Sequence, residues 1–237
     1  MDSIGSARRA PTVDVRQGDR IRVLVVDDHP AIRDAIKDTI STKMDLEVVG
    51  EAESGYEAFH IIEKQRPNVA IVDISLKDGH GLDLVQNIRI QFPDVHVVVF
   101  SMYDESVYAE RAIRAGASSY LMKNESTQTV VDAIRTVVRG EIYLSRQMAS
   151  RILSKVAVGR SSSPGFAIDE LTDREMSVFQ MLGQGSSVEE ITDQLSLSRK
   201  TVETYRRRAK EKLGFETVAE LLQYAVQWTH AQGERPN

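Results

Sequence analysis

Five residues, far apart in the chain, are of types that invite chemistry: Asp27, Asp28, Asp73, Ser101 and Lys123. Each ends or follows a short apolar run. Asp27 and Asp28 close Val23-Leu24-Val25-Val26, and Asp73 closes Val69-Ala70-Ile71-Val72. Ser101 closes Val97-Val98-Val99-Phe100, and Lys123 follows Tyr120-Leu121-Met122. An aspartate after a strand is often only a turn or cap residue, so no single position decides the matter. If the runs are adjacent parallel strands, three carboxylates converge on one pocket and repel one another unless something cationic joins them. An all-oxygen site with water positions to spare suits Mg²⁺. A hydroxyl from Ser101 and an ammonium from Lys123 beside it can hold the oxygens of a phosphoryl group.

The elements that must position these groups are legible in the hydrophobic period. Short β-rich runs at 21–26, 46–49, 69–72, 95–100 and 118–121 alternate with segments whose apolar spacing is near 3.6, at 31–40, 56–62, 82–90, 107–113 and 130–138. Five βα repeats predict an α/β domain over residues 20–141, a doubly wound five-stranded parallel sheet with helices on both faces. In such sheets ligands bind at the carboxyl ends of the strands, where the strand order reverses. Residues 1–19 are polar and aperiodic and read as a disordered tail. Residues 142–168 read as a linker, with a short amphipathic helix at 147–158 ahead of Gly159-Arg160-Ser161-Ser162-Ser163-Pro164-Gly165.

Beyond the linker no strand pattern recurs. Residues 169–232 read as an all-α domain of four short helices, followed by a tail at 233–237. The helix starts carry capping signatures: Thr172 with Glu175, Ser187 with Glu190, Ser198 before Thr201, and Thr217 with Glu220. Residues 187–195 and 198–213 form two helical segments joined by a short turn, with Ile191, Leu195, Leu197, Val202 and Leu213 on a shared apolar face. The opposite face of the second carries Arg199, Lys200, Glu203, Thr204, Arg207, Arg208 and Lys210. A basic helix braced by a preceding one follows the helix-turn-helix logic for the DNA major groove.

Composition removes other classes. The chain has 237 residues with 41% hydrophobic and 27% charged residues, ordinary for a globular protein. The longest apolar runs noted above have four residues, far short of a membrane span, and the N-terminal segment does not read as a secretory signal. The absence of cysteine excludes disulfides, thiolate metal sites and cysteine nucleophiles, and fits a reducing cytoplasm. The net charge of −5 hides an asymmetry. Residues 20–146 carry 15 basic against 20 acidic groups, whereas 199–212 carry seven basic groups against Glu203 and Glu211.

The segments Val25-Val26-Asp27-Asp28-His29-Pro30, Ile71-Val72-Asp73-Ile74-Ser75-Leu76, Val99-Phe100-Ser101 and Tyr120-Leu121-Met122-Lys123 resemble the flavodoxin-like receiver domain of two-component response regulators. The resemblance implies that Asp73 accepts a phosphoryl group from a histidine kinase or phosphotransfer protein. It implies Mg²⁺ ligation by Asp28, Asp73 and the carbonyl of Ser75, with Asp27 acting through metal-bound water. It further implies that Ser101 and Lys123 bind the phosphoryl oxygens while Tyr120 serves as an aromatic switch. Leu171-Thr172-Asp173-Arg174-Glu175, Leu197-Ser198-Arg199-Lys200-Thr201-Val202-Glu203-Thr204-Tyr205 and Lys212-Leu213-Gly214 resemble the LuxR-type output domain, so the whole chain is similar to the NarL/FixJ class. That resemblance implies DNA contacts from Arg199, Lys200, Thr201, Glu203, Thr204, Arg206, Arg207, Arg208 and Lys210. Of these, Glu203, Thr204 and Arg207 would face base edges. It also implies a homodimer when phosphorylated, with the last helix, expected over 218–228, able to pair two output domains.

Two departures and two rivals stand beside this reading. After the acceptor the family usually has a Pro-Gly pair, where this chain has Lys77-Asp78 ahead of Gly79-His80-Gly81, with Gly79 and Gly81 expected to supply left-handed turns. At Glu203, where lysine is common, a glutamate favours cytosine amino groups and repels phosphate. A Mg²⁺-dependent aspartyl-phosphate phosphatase would need a second acid two residues after the nucleophile, and Ser75 stands there. A scaffold or ligand-sensing domain that is never phosphorylated leaves the full acidic set without a use. The expectation is therefore a stoichiometric phosphoacceptor rather than an enzyme. His29, beside two aspartates, could ligate a metal, but a helix-start residue next to Pro30 is the preferred reading; His60, His80, His96 and His230 are read as structural or surface, and Met102 and Met122 as core fillers.

Overall fold

The structure, a computed structural model, describes residues 20–77, 79–150, 168, 170–195 and 197–233. The expected tail at 1–19, residues 234–237 of the expected tail at 233–237, Asp78, residues 151–158 of the expected linker helix, and the Gly/Ser-rich stretch at 159–165 lie outside the described residues. The chain divides into two compact units, the first ending at Arg151.

The first unit is a parallel sheet of β1 (Ile21–Val26), β2 (Leu46–Ala52), β3 (Val69–Val72), β6 (His96–Ser101) and β7 (Ser119–Met122), in the order β2-β1-β3-β6-β7. A two-residue ribbon, β4 (Ser75–Leu76) against β5 (Gly79–His80), sits in the loop after β3. The helices are α1 (Pro30–Ser41), α2 (Gly55–Gln65), α3 (Gly81–Gln91), α4 (Glu105–Ala115) and α5 (Thr127–Val138). The apolar central strands β1, β3 and β6 are buried over most of their length, as residues covered on both faces must be, and so are three of the four residues of β7. Alternation sends Val23 and Val25 to a face packed with Ile36 and Ile40 of α1 and Ile134 and Val137 of α5. α2, α3 and α4 contact one another in sequence. Side chains cap the starts of α2, α4 and α5, with Ser54, Asp104 and Ser126 accepting from the first turn.

This unit runs on past the expected boundary at 141. Tyr143 bridges Ser119 at the sheet edge, its N–H donating to the Ser118 carbonyl at 3.1 Å. Residues 146–150 are helical, Met148 is buried, and the Ser145 hydroxyl donates to Glu105 of α4 at 2.9 Å. The first residues assigned to the linker thus complete the α/β unit.

The second unit contains α6 (Asp173–Gly183), α7 (Val188–Gln194), α8 (Arg199–Lys212) and α9 (Val218–Gly233). All four expected capping signatures form. Thr172 with Glu175 and Ser187 with Glu190 make reciprocal capping boxes, Ser198 accepts from Thr201 N–H, and Thr217 exchanges bonds with Glu220. α6 is the core helix, buried from Glu175 to Gly183. Phe179 meets Tyr224 and Trp228 of α9 at centroid distances of 6.0 and 5.7 Å. A Cβ on Gly183 would collide with Thr229 and the Ala225 carbonyl, so glycine is what lets α6 and α9 approach so closely. α9 continues past the expected end at 228 to Gly233. Leu221 and Ala225 of this helix enter the core, while Val226 stays exposed.

Candidate functional site

Strand order puts the ends of β1, β3, β6 and β7 side by side, with Val26 opposite Val72, Val72 opposite Val99, and Ser101 opposite Met122. Backbone bonds extend the ladder one residue further. Asp27 N–H donates to Ala52 O at 3.0 Å, Asp73 N–H to Val26 O at 2.9 Å, and Lys123 N–H to Ser101 O at 2.8 Å. Four of the five chemistry-bearing residues, Asp27, Asp73, Ser101 and Lys123, are therefore fixed by the sheet itself, and Asp28 follows Asp27 in the chain.

Asp27 and Asp73 are only 2% and 3% exposed. The Lys123 side chain, also 3% exposed, reaches between them, its Nζ 2.6 Å from Asp27 Oδ2 and 2.7 Å from Asp73 Oδ2. Burial pushes the Asp73 carboxyl above its ordinary value, and the charge of Asp27 adds to this while Lys123 and Ser101 oppose it. Burial works against the Lys123 ammonium too, but the carboxylates of Asp73 and Asp27 outweigh it and hold the group above its ordinary value. Asp73 Oδ1 remains buried without a hydrogen bond, and Asp28 Oδ1, also buried, meets only the His29 ring. One ammonium faces three carboxylates, and the unused oxygens are hard donors, so the residues fit a hard divalent cation.

The loop after Asp73 departs from expectation in its glycines. Neither Gly79 nor Gly81 has a positive φ. A Cβ at Gly81 would instead overlap the Asp73 carbonyl, so the requirement is close backbone approach rather than a left-handed turn. Gly81 N–H donates to Ile74 O at 2.7 Å, and His80 caps α3 through its ring nitrogen, which accepts from Leu82 N–H. Ser75, half-buried, pairs with His80 in the ribbon.

Ser101 is buried and its Oγ accepts a long 3.5 Å bond from Tyr103 N–H. The buried Tyr120 donates its hydroxyl to the Tyr103 carbonyl at 2.7 Å. Desolvation holds that phenol well above its ordinary value, so it remains a donor. Ser101 and Tyr120 are therefore linked through one residue, whose ring stacks 4.8 Å from that of Tyr108 on α4. Met102 does not fill the core. It is 72% exposed, because it follows the last strand residue into the loop, and Met122 is half-buried.

His29 takes the expected helix-start place, as N-cap of α1 with Pro30 behind it. The sequence offered a ligand role for its ring as the lesser alternative, and in the structure His29 joins Asp27, Asp28 and Asp73 in one group of potential ligands. Arg33 was not foreseen either, and its Nη1 donates to the Asp27 carbonyl at 2.6 Å. Among the other histidines, His80 and His96 are buried, while His60 and His230 are exposed.

On the second unit, α7 and α8 share the expected apolar contact, with Ile191, Leu195, Val202 and Ala209 buried and Leu197 and Leu213 half-buried. The basic face is less free than its composition suggests. Arg199 pairs with Glu189 at 2.7 Å, Arg207 with Glu211 at 2.6 Å, and Arg206 with Glu203. Lys210 donates to the Glu216 carbonyl at 2.8 Å. Thr201 belongs to the Ser198 cap, and the Thr204 hydroxyl bonds back to the Lys200 carbonyl at 2.8 Å. Among the described residues Lys200 and Arg208 are exposed and make no ion pair. Lys212 turns inward, its Nζ 2.6 Å from the buried Glu175 carboxylate. No helix among the described residues is long and apolar enough to cross a membrane.

Comparison with known proteins agrees with this architecture. Residues 23–135 match the response regulator receiver domain, and residues 169–225 match the LuxR family of bacterial regulatory proteins. The response regulator GacA of Pseudomonas protegens is 37% identical over 206 residues, covering 87% of this chain and 95% of its own. The oxygen regulatory protein NreC of Staphylococcus carnosus is 29% identical over 210 residues, covering 87% and 97%. Among solved structures, RcsB from Salmonella enterica serovar Typhimurium, bound to promoter P1flhDC in the presence of the phosphomimetic BeF3−, superposes with a TM-score of 0.58. That match has 25% identity and covers 87% of this chain and 98% of the other.

Proposed function

Because the chain belongs to the DNA-binding response regulators that join a receiver to a LuxR-type output domain, we propose that Asp73 is its phosphoryl acceptor and that phosphorylation governs how α8 engages promoter DNA. The observation that carries this reading is the buried Asp27–Lys123–Asp73 arrangement at the strand ends. Asp73 attacks phosphorus through a carboxylate oxygen, and the bond to the donor's leaving group breaks as the acyl phosphate forms. Lys123 and the Ser101 hydroxyl hold the transferred oxygens. Asp28, Asp73 and the Ser75 carbonyl would hold Mg²⁺, with Asp27 acting through water, and the ion would supply charge neutralisation. Movement of Ser101 toward the new phosphate withdraws it from Tyr103, and Tyr120 follows through its bond to the same residue.

The phosphoryl donor is a histidine kinase or phosphotransfer protein, and the protein works in the cytoplasm as a stoichiometric acceptor that loses phosphate slowly. Phosphorylation favours a homodimer whose two α8 helices read paired half-sites, since one small module has limited affinity. Glu203, Thr204 and Arg207 face base edges. Arg199, Lys200, Thr201, Arg206, Arg208 and Lys210 lie along the backbone and confer affinity without sequence information.

The test is incubation with Mg²⁺ and acetyl phosphate. Stoichiometric labelling that Asp73→Asn abolishes, with tighter promoter binding by the labelled protein, is the expected result. Continuous consumption of the donor would indicate a phosphatase, and no labelling would indicate a scaffold.

A further inference from the structure

We propose that His29 is a nitrogen donor of the acidic pocket and tunes it toward borderline divalent ions such as Co²⁺ and Zn²⁺ relative to Mg²⁺. The proposal rests on the receiver reading and concerns which ion that pocket favours.

His29 occupies the N-cap of α1, yet its side chain makes no capping hydrogen bond. The N–H groups of Ile32 and Arg33 bond instead to the His29 carbonyl, at 3.1 and 3.3 Å. The ring turns instead toward the acids, with Nδ1 2.7 Å from Asp28 Oδ1 and 3.3 Å from Asp27 Oδ1. The backbone N–H of His29 donates to that same Asp27 oxygen at 2.9 Å, which ties the residue to the pocket by a second bond. One ring nitrogen and one oxygen each from Asp27, Asp28 and Asp73 lie within 4.8 Å of one another.

The carboxylates divide their oxygens. Lys123 takes Oδ2 of Asp27 and of Asp73. Asp73 Oδ1, on a side chain 3% exposed, is buried and accepts no hydrogen bond, which is the independent sign that a cation belongs there. His29 itself is 65% exposed, so its ring lies at the mouth and can meet an ion without desolvation of the helix end. Mg²⁺ is hard, prefers oxygen and keeps its water, and so gains little from an imidazole. Co²⁺ and Zn²⁺ accept imidazole readily, and a mixed oxygen–nitrogen set raises their affinity over that for Mg²⁺.

The test is calorimetric titration of the full chain with MgCl2 and with CoCl2, together with the visible absorption of bound Co²⁺, for wild type, His29→Ala and Asp28→Asn. His29→Ala is expected to lower the cobalt-to-magnesium affinity ratio by about tenfold and to alter the cobalt spectrum. Asp28→Asn is expected to remove the tight cobalt site, which excludes binding at the exposed His60 or His230. An unchanged ratio in His29→Ala would overturn the proposal, as would tight cobalt binding that survives Asp28→Asn. If wild type still takes label from acetyl phosphate with Mg²⁺ in that case, only the role of His29 falls. A wild-type protein that binds neither ion and takes no label would overturn the receiver reading itself.

Discussion

In the pocket of the first unit, Lys123, Asp27 and Asp73 are each about 3% exposed, whereas Arg199 and Glu189 at the start of α8 are 71% and 64% exposed. Both regions pair opposite charges at close to 2.7 Å. The distances agree and the surroundings do not, so the same contact has different consequences. In the pocket each charge has given up its water, and removing Lys123 strands both carboxylates in a low dielectric. On α8 water and salt screen the pair, and breaking it exposes an arginine to a new partner at little cost. A buried set serves to hold a few atoms ready for chemistry. An exposed set serves to exchange partners, here acidic side chains for phosphates.

The largest expected effect is all-or-none: Asp73→Asn takes no label from acetyl phosphate, measured by mass spectrometry of the intact chain. The same variant also gives a signed pH effect. The Asp73 carboxyl is held above its ordinary value chiefly by burial. Its contribution to stability is thus present in acid and is lost as pH rises through the folded value. In the absence of divalent ions Asp73→Asn should be the more stable protein at neutral pH, with the advantage gone in acid. Urea titrations across the pH range check this, and equal stability throughout would show that the pocket does not strain its own acids.

Next comes Lys123→Ala, which leaves Asp27 and Asp73 facing each other. A loss of about 3–5 kcal/mol at neutral pH is expected from urea unfolding of the first unit, smaller when Mg²⁺ is saturating. A loss below about 1 kcal/mol would place this pair with the surface pairs and break the comparison.

Glu175 lies between the extremes, a buried carboxylate that closes a capping box and receives Lys212. Burial raises its carboxyl, but the bonds from Lys212 and Thr172 outweigh that and hold it below the 4.5 of a free glutamate. Its stabilisation is therefore present above that value and lost as pH falls through the folded one. Glu175→Gln should cost about 1–2 kcal/mol at neutral pH, and the difference should fade in acid. Trp228, the single tryptophan, rests on Phe179 and reports the unfolding of this unit by fluorescence.

The smallest effects belong to α8. Lys200→Ala and Arg208→Ala should each reduce the salt slope of promoter binding by about 1 per protomer. Arg199→Ala and Arg207→Ala should reduce it less, since Glu189 and Glu211 already compensate those charges. Fluorescence anisotropy at several salt concentrations separates the two groups, and equal slopes would show that the ion pairs dissolve on DNA.

Much of this was legible in the chain, for identifiable reasons. Runs such as Val97-Val98-Val99-Phe100 are buried on both sides and so need no alternation, and all five strands fall on the expected runs. Thr172, Ser187, Ser198 and Thr217 cap as expected because a cap is satisfied within a few residues of itself. What was misread depends on distant neighbours. Gly81 looked like a turn residue, but it is the Asp73 carbonyl, brought against it by the ribbon, that demands glycine. Met102 looked like core but leaves the sheet with the loop. Lys212 counted toward the basic excess of residues 199–212, and α6 draws it inward.

By itself, then, the sequence determined the βα alternation, the helix starts, and which residue types stand at the strand ends, because each depends on a local period or a local bond. Only the tertiary structure decided which carboxylate oxygens Lys123 occupies, which remain open beside His29, and how Tyr103 joins Ser101 to Tyr120. Those facts follow from strand order and register, which are set by pairing between segments tens of residues apart and leave no trace in any local pattern.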